Sequence, residues 1–302
     1  MSEATTVADA PADALGGHVW RQFRRHPGGV AGLVVFVIIS FAVLFGPFLH
    51  RIDPNKISIR ERNEGPSLLH PFGTDNLGHD LFAQVLAGGR VSLAVGVAAM
   101  ALSLALGASV GVASGYWRRL DGPLMRLTDL FLALPLLPLL LVAVTLFREP
   151  LRAGFGPSTG IFILIVSSIG VTSWMHTARI VRGDVLAVKR LEFVLAAQAS
   201  GMRSRRILIR HILPNVLSSI LVSATLGMAA AIITESVLSF LGLGFPPDFP
   251  TWGRLLFDGV SFMQITPARV IWPGLAISLT VLSVNYIGDA IRDALDPRAL
   301  RR

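Results

Sequence analysis

The chain has 302 residues, of which 52% are hydrophobic and only 15% carry a charged side chain. Soluble domains average about 25% charged residues. The composition therefore excludes a soluble enzyme, a disordered chain and a nucleic-acid-binding domain as main interpretations. The chain contains no cysteine, which also excludes disulfides, thiolate nucleophiles and cysteine-ligated metal sites. Its net charge of +8 indicates basic surfaces, whose positions along the chain are informative.

Long runs without Asp, Glu, Lys or Arg divide the chain into candidate membrane spans. A helix needs about 20 apolar residues to cross the hydrocarbon core. Charge-free runs cover residues 30–49, 91–117, 130–147, 153–178 and 270–288, and the run 211–247 is interrupted only by Glu235. This pattern predicts an all-α integral membrane protein with six transmembrane helices.

The N-terminal residues 1–29 are predicted to be a cytoplasmic segment, disordered over 1–15 and basic over 18–26. The basic stretch, HVWRQFRRH, is either an amphipathic segment on the inner membrane surface or the positive flank of the first span. The first span, 30–50, is predicted to be a retained signal anchor, because no small-x-small cleavage site follows it.

The distribution of basic residues predicts the topology. With both termini inside, the inner segments hold 18 of the 27 Lys and Arg residues and the outer segments hold nine, which agrees with the positive-inside rule. The predicted organisation is a periplasmic loop at 51–90 and a core domain at 91–290 with five of the spans. The core includes a cytoplasmic loop at 179–213, and 291–302 form a cytoplasmic tail.

The segment 70–80, HPFGTDNLGHD, precedes the second span and is rich in turn residues. Asp80 is predicted to cap the following helix through its carboxylate. A metal site built from His70, His79, Asp75 and Asp80 is the alternative. Without cysteines or a His-x-x-x-His pair, the pattern favours an ordered turn.

The inner loop 179–210 holds eight basic and two acidic residues. Its centre, EFVLAAQASG, predicts a short helix of small residues that ends at Gly201, because glycine tolerates the left-handed conformation of a helix end. Ser204 is predicted to cap a second helix, and Pro214 to stand where the next span begins. The expected result is a compact knob on the inner face, and the alternative is an ordinary solvated basic loop.

This loop resembles the EAA loop of binding-protein-dependent ABC importer permeases. The resemblance rests on Leu195-Ala196-Ala197, on Gly201 and on His211-Ile212-Leu213-Pro214. Residues 70–80, 238–253 and 288–298 are similar to the C-type permease subunit of the peptide and nickel branch. Two positions depart from the family pattern, since Leu195 replaces the usual glutamate and His79 the usual arginine.

The resemblance implies a type I importer permease and a set of partners. It implies a second homologous permease subunit, two cytoplasmic ATP-binding subunits that hold ATP and magnesium, an external solute-binding protein and a short peptide as substrate. This chain would bind no cofactor or metal itself and would lie in the bacterial inner membrane. The resemblance assigns ATPase coupling to Glu192, Leu195, Ala196, Ala197, Gly201, Arg203, Leu213 and Pro214.

Other functions were weighed against this one. Neither Lys56 nor Lys189 follows a glycine, so the sequence has no Walker A loop and is not predicted to be an enzyme. Gly107-x-Ser109-x-Gly111 spells the motif of serine hydrolases, but it lies mid-span, where a helix-packing face is expected. Permeation of nickel or another small solute and a stand-alone secondary transporter are the remaining alternatives.

Glu235 is the one acidic residue inside a predicted span. An ionisable group in a membrane span faces the bundle interior or a water-filled path. We therefore weigh two roles for it. It lines the pathway or contacts the partner permease, or its carboxyl is paired with serine or helix backbone.

Overall fold

Helices make up most of the part of the chain that the structure describes. The computed structural model describes residues 20–295. In chain order the helices are α1 Pro27–Leu49, α2 Leu81–Tyr116, α3 Arg118–Ala133, α4 Leu136–Phe155, α5 Pro157–Val188, α6 Glu192–Ala199, α7 Ser204–Ile207, α8 Leu213–Phe240, α9 Trp252–Val260 and α10 Ala268–Leu295. A π-helical turn, Leu208–Ile212, joins α7 to α8. The all-α prediction is confirmed. The expected disorder of 1–15 and most of the C-terminal tail lie outside the described residues.

Among the described residues, α1, α2, α5, the continuous α7–α8 segment and α10 are long and apolar enough to cross a membrane. The third predicted span differs from expectation, because α3 and α4 meet at an angle of 88°. Leu134 and Pro135 have extended backbone at this break. Proline lacks a backbone N–H and disfavours a helical residue before it, which explains why the helix stops there. The described residues thus contain five candidate spans, or the six that were predicted when the bent pair is counted as one span.

Two spans extend into segments that were predicted to be loops. The second begins at Leu81, so its first ten residues belong to helix and not to the predicted loop 51–90. Arg90 does not end this helix, because its guanidinium donates to the carbonyls of Val43 (3.0 Å) and Leu44 (2.7 Å) at the end of α1. At the other side, α5 continues to Val188 and shortens the predicted loop 179–213.

A stripe of glycines lets α2 and α5 pack closely along their length. A methyl group added at Gly107, Gly111 or Gly115 would lie 2.7 Å from atoms of α5. Ser109, between the first two glycines, is exposed on another face of α2. The hydrolase-like motif therefore lies mid-helix and serves packing, as predicted.

The two ends of the described chain pack together. Phe23 is buried against Ala290 and Ala294 of α10, whereas Trp20 is half exposed. The basic stretch is thus anchored by one aromatic side chain. We call the end of the bundle that carries α6 the inner end, and the end that carries residues 51–80 and α9 the outer end.

Candidate functional site

The helix α6 forms a knob at the inner end, and its C-terminus is closed by Gly201. Gly201 has a φ of +73°. Its N–H donates to the carbonyl of Gln198 (3.0 Å), and the N–H of Met202 donates to that of Ala197 (3.2 Å). This pair of bonds is a Schellman motif, which requires a residue in the left-handed region. The sequence prediction of a glycine end to this helix is confirmed.

One face of the knob is buried and the opposite face is exposed. Val194 and Ala197 pack into a cluster with residues of α5, α7 and α8. Phe193 is 44% exposed and Leu195 50% exposed, although both are apolar. Because positions two apart on a helix point about 200° away from each other, these two side chains flank the buried face on its two sides. Glu192 and Ala196 are also exposed, so three of the predicted coupling residues, Glu192, Leu195 and Ala196, are on the exposed side of α6.

The knob rests on a stiff base formed by α2, α3 and α5. Val185 of α5 contacts both the knob's core cluster and Gly115 of α2. Lys189 donates to the carbonyl of Tyr116 (2.6 Å) at the end of α2. Arg182 binds the two carboxylate oxygens of Asp121 on α3 at 2.5 and 2.8 Å. Bidentate arginine pairs fix geometry as well as adding energy, so the base holds the knob in one orientation.

The ion pairs of this base were missed from the sequence. Arg182 and Asp121 are 61 residues apart, and Arg179 and Asp129 pair similarly over 50 residues at 2.5 Å. From the sequence alone, both arginines are simply charges of the predicted inner loop. The one available signal was that acids on α3 and arginines on α5 occur on the same predicted side of the membrane.

The second helix of the loop differs in detail from the prediction. Arg203 occupies the N-cap position of α7, and Ser204 is its first residue and forms no capping bond. Arg203 and Pro214 line an open cavity of about 750 Å³ together with three further arginines: Arg205, Arg206 and Arg210. Leu213 is exposed beside it. The predicted coupling residues therefore divide between the apolar knob and this basic groove.

Glu235 lies far from the knob. It is 22 residues beyond Leu213 on α8, which places it roughly 33 Å along the helix. Its side chain is fully buried and accepts hydrogen bonds from Ser92 of α2 (3.0 Å) and Ser239 (2.7 Å). Of the two roles considered for Glu235, the structure thus shows the one in which its carboxyl is paired with serine. In this conformation the carboxyl is closed off from a pathway or a partner.

The outer segment 70–80 is an ordered turn, as predicted. Asp80 caps α2 by accepting from the N–H of Ala83, and it contacts His70 Nδ1 at 2.7 Å and His50 Nε2 at 3.2 Å. It has no exposed side-chain surface. Its two histidine contacts therefore join the end of α1, the turn and the start of α2. In residues 20–295 no group of three or more His, Asp or Glu side chains is placed to hold a metal ion.

Asp75 organises the middle of the same turn. It accepts from the backbone N–H groups of Leu77 (2.8 Å) and His79 (2.9 Å) and from His79 Nδ1 (2.8 Å). Burial raises the pKa of the Asp75 carboxyl, but the hydrogen bonds from His79 and Leu77 lower it more. The net effect holds this pKa below its ordinary value of 3.8.

A cavity of about 300 Å³ opens between this turn and the helices α9 and α10. It is lined by charged groups that the sequence analysis did not single out, chiefly Arg254, Asp258 and Arg269. Arg254 Nε lies 3.0 Å from a carboxylate oxygen of Asp258 one helical turn away. The i, i+4 spacing of these two residues was a readable signal, whereas the approach of Arg269 to the turn was not.

Two family models match the sequence of this chain. Residues 103–301 match the model of the binding-protein-dependent transport system inner membrane component. Residues 15–66 match that of the N-terminal transmembrane domain of oligopeptide transport permease C. The first match includes α3 to α10 and therefore the knob, its base and Glu235.

Curated proteins similar to this chain are transport permeases. The oligopeptide transport system permease protein OppC of Bacillus subtilis is 38% identical over 92% of this chain and 88% of its own length. The dipeptide transport system permease protein DppC of the same organism is 38% identical over 94% and 85%. The glutathione transport system permease protein GsiD of Pectobacterium atrosepticum is 38% identical over 92% and 90%.

Proposed function

The chain belongs to the family of binding-protein-dependent transport system inner membrane components, and we propose that it is one of two permease subunits of an ATP-driven importer of short peptides. The family is the non-catalytic membrane component of such transporters, which work with a binding protein and an ATPase. The peptide substrate is proposed from the relatives, whose names specify oligopeptide, dipeptide and glutathione transport. These names support neither nickel nor a stand-alone secondary transporter.

The exposed surface of α6 carries the proposal. Phe193 and Leu195 protrude on a helix that is capped at one end and held by ion pairs at its base. We propose that each of two cytoplasmic ATP-binding subunits grips such a knob, one on this chain and one on a homologous second permease. ATP and magnesium are then held by those subunits. This assignment places α6 and both termini in the cytoplasm and the outer end in the periplasm.

The same geometry suggests how the knob transmits movement. Val185 contacts the knob's core cluster and the glycine stripe of α2. Because packed interiors have few voids, a displacement of α6 passes to α5 and α2 without being absorbed locally. The loss of the glutamate at Leu195 changes the chemistry of docking from an ion pair to apolar contact, and Arg203 beside the knob keeps a basic rim.

Purification of the tagged chain from its native membrane in mild detergent, followed by mass spectrometry, tests this function. We expect the ATPase subunits and a second permease to be recovered with it. Leu195→Asp is expected to release the ATPase subunits and retain the second permease, because it places a charge on the exposed surface of α6. Leu68→Asp is the matched control, since Leu68 is fully exposed at the outer end.

Two outcomes would contradict the proposal. Recovery of the wild-type chain alone, stable and monodisperse, would argue against an importer subunit. Retention of the ATPase subunits by the Leu195→Asp variant would argue against α6 as the docking element.

A further inference from the structure

A buried arginine at the outer end lacks a direct counter-charge. Arg269 is 7% exposed and lies in the first turn of α10. Its guanidinium donates to the side-chain oxygen of Asn76 (2.8 Å) and to the backbone carbonyl of Asp258 (3.3 Å), and it stacks over the ring of Phe262 at 4.2 Å. Within residues 20–295 no carboxylate oxygen lies within 4.0 Å of its nitrogens, as each of the ion pairs found there joins other residues.

The nearby carboxylates are already engaged. Asp258 is paired with Arg254 Nε at 3.0 Å, and Asp75 is held by His79 Nδ1 and two backbone N–H groups. A guanidinium has five N–H donors, and two of those on Arg269 are used. Burying an unpaired charge is unfavourable unless a partner compensates it. Both carboxylates also line the cavity and balance the charges of Arg254 and Arg269 there, so the capacity that remains on Arg269 is its three unused N–H donors.

This capacity faces the outer cavity. Arg269, Arg254 and Gln84 line it on the donor side, and Trp272 contributes an aromatic wall. Its volume of about 300 Å³ is at the lower limit of small-molecule sites, which fits a single inserted side chain better than a whole peptide. Arginine beside aromatic rings in a desolvated pocket is also the composition of interface hot spots.

We propose that this cavity receives the carboxylate of an aspartate or glutamate side chain of the external solute-binding protein. The inference rests on the proposed function, because that function places the outer end where a binding protein must dock. The carboxylate would accept hydrogen bonds from the unused N–H groups of Arg269 and Arg254, a bidentate geometry that favours arginine over lysine.

The test measures the affinity of the solute-binding protein for the assembled transporter in lipid nanodiscs. Arg269→Gln is expected to weaken binding by about thirty-fold or more, the loss typical of a truncated interface charge pair. Arg60→Gln is the matched control, since it removes the same charge from an exposed position in the outer loop. We expect it to change the affinity by less than about three-fold, as for a rim charge.

Two further variants keep the test decisive if Arg269→Gln does not assemble. Arg254→Gln frees Asp258 to pair with Arg269 and should also weaken binding. Arg269→Lys keeps the charge but loses the planar guanidinium that can donate two parallel hydrogen bonds, so an intermediate affinity is expected. Co-purification of all subunits confirms the assembly of each variant.

Three results would overturn the inference. The first is an affinity of Arg269→Gln equal to that of Arg60→Gln. The second is an unchanged affinity in assembled Arg254→Gln and Arg269→Lys transporters. The third is a transport defect confined to peptides with a free C-terminal carboxylate and absent for amidated peptides, which would make the substrate the source of the anion. Stimulation of the wild-type ATPase by the binding protein tests the proposed function separately, so the two failures are distinguishable.

Discussion

The outer and inner ends of this bundle satisfy their side chains in different ways. At the outer end, Asp75 and Asp80 each find their partners within the chain, and both are nearly or fully buried. At the inner end, Phe193 and Leu195 protrude from α6 and remain half exposed. The outer turn is thus organised by its own hydrogen bonds. The knob has a fixed backbone and an uncovered surface.

Because of this difference, we expect residues of the outer turn to serve stability and residues of the knob to serve function. Substitutions in the outer turn are expected to act on folding, because they leave buried groups unpaired. Substitutions on the exposed face of the knob are expected to act on assembly and transport, because surface positions contribute little to folding. The four predictions below test the contrast, beginning with the largest effect.

Asp80→Ala is expected to destabilise the protein by about 3 kcal/mol. It removes the cap of α2, strands the buried His70 and takes a contact from the partly exposed His50, and the loss of one partner of a buried pair is strongly destabilising. Denaturant unfolding of the purified complex in detergent measures the effect. Asp80→Asn, which still accepts from Ala83, should lose less. Equal stability of Asp80→Ala and wild type would show that the outer turn does not stabilise the fold, which would contradict the contrast between the two ends.

Gly201→Val is expected to lower peptide uptake per ATP hydrolysed by about tenfold while the spans still assemble. A β-branched residue in the left-handed region is strained by roughly 1–2 kcal/mol, which displaces the end of α6. A Cβ at Gly201 would meet no neighbour within 4 Å, so the effect is conformational and not steric. Gly201→Asn, which tolerates this region, is the control. Normal coupling in a reconstituted Gly201→Val complex would contradict the prediction.

Asp75 is expected to make the outer turn sensitive to acid. Its folded-state pKa lies below its ordinary value of 3.8, so the ionised form stabilises the folded state. This contribution is fully present above the unfolded-state pKa and is lost as the pH falls through the folded-state pKa.

Hydrogen exchange of residues 70–80 measures this dependence. The protection of wild type relative to Asp75→Asn should be constant from neutral pH to about pH 5 and shrink below about pH 4. A difference in protection between wild type and Asp75→Asn that grows as the pH falls would contradict the prediction, because the ionised carboxylate would then destabilise the fold.

Ser109→Ala is expected to leave stability within about 0.5 kcal/mol of wild type and to leave transport unchanged, because the side chain is exposed and outside the glycine stripe. Gly111→Leu is the contrasting variant, since its side chain would collide with Ala178 and Val181 of α5. Both variants are compared with wild type by uptake assays in vesicles and by the yield of assembled complex. A loss of activity in Ser109→Ala would revive the hydrolase interpretation.

Features determined by a few adjacent residues were predictable from the sequence. The carboxylate of Asp80 precedes its helix, and Gly201 follows its own, so both ends could be placed from local rules. The break at Pro135 follows from the local chemistry of proline, but its angle of 88° depends on what α3 packs against. Ser204 is a good capping residue in isolation, yet Arg203 takes the cap position.

Features that depend on distant partners were not predictable. The contacts of Arg90 with the carbonyls of Val43 and Leu44 on α1 span 47 and 46 residues. The contact of Arg269 with Asn76 spans 193 residues. Long arginine side chains can reach many acceptors, and only the folded arrangement of helices selects among them. The outer cavity is therefore a product of tertiary structure.

The length of α2 has a mechanical consequence. Its 36 residues contain no proline and extend about 54 Å, well beyond a hydrocarbon core of about 30 Å. One unbroken rod thus begins at the Asp80 cap and ends at the Tyr116 carbonyl that holds Lys189. A displacement at the inner end tilts this helix as a whole, so the outer cavity at its other end moves with it.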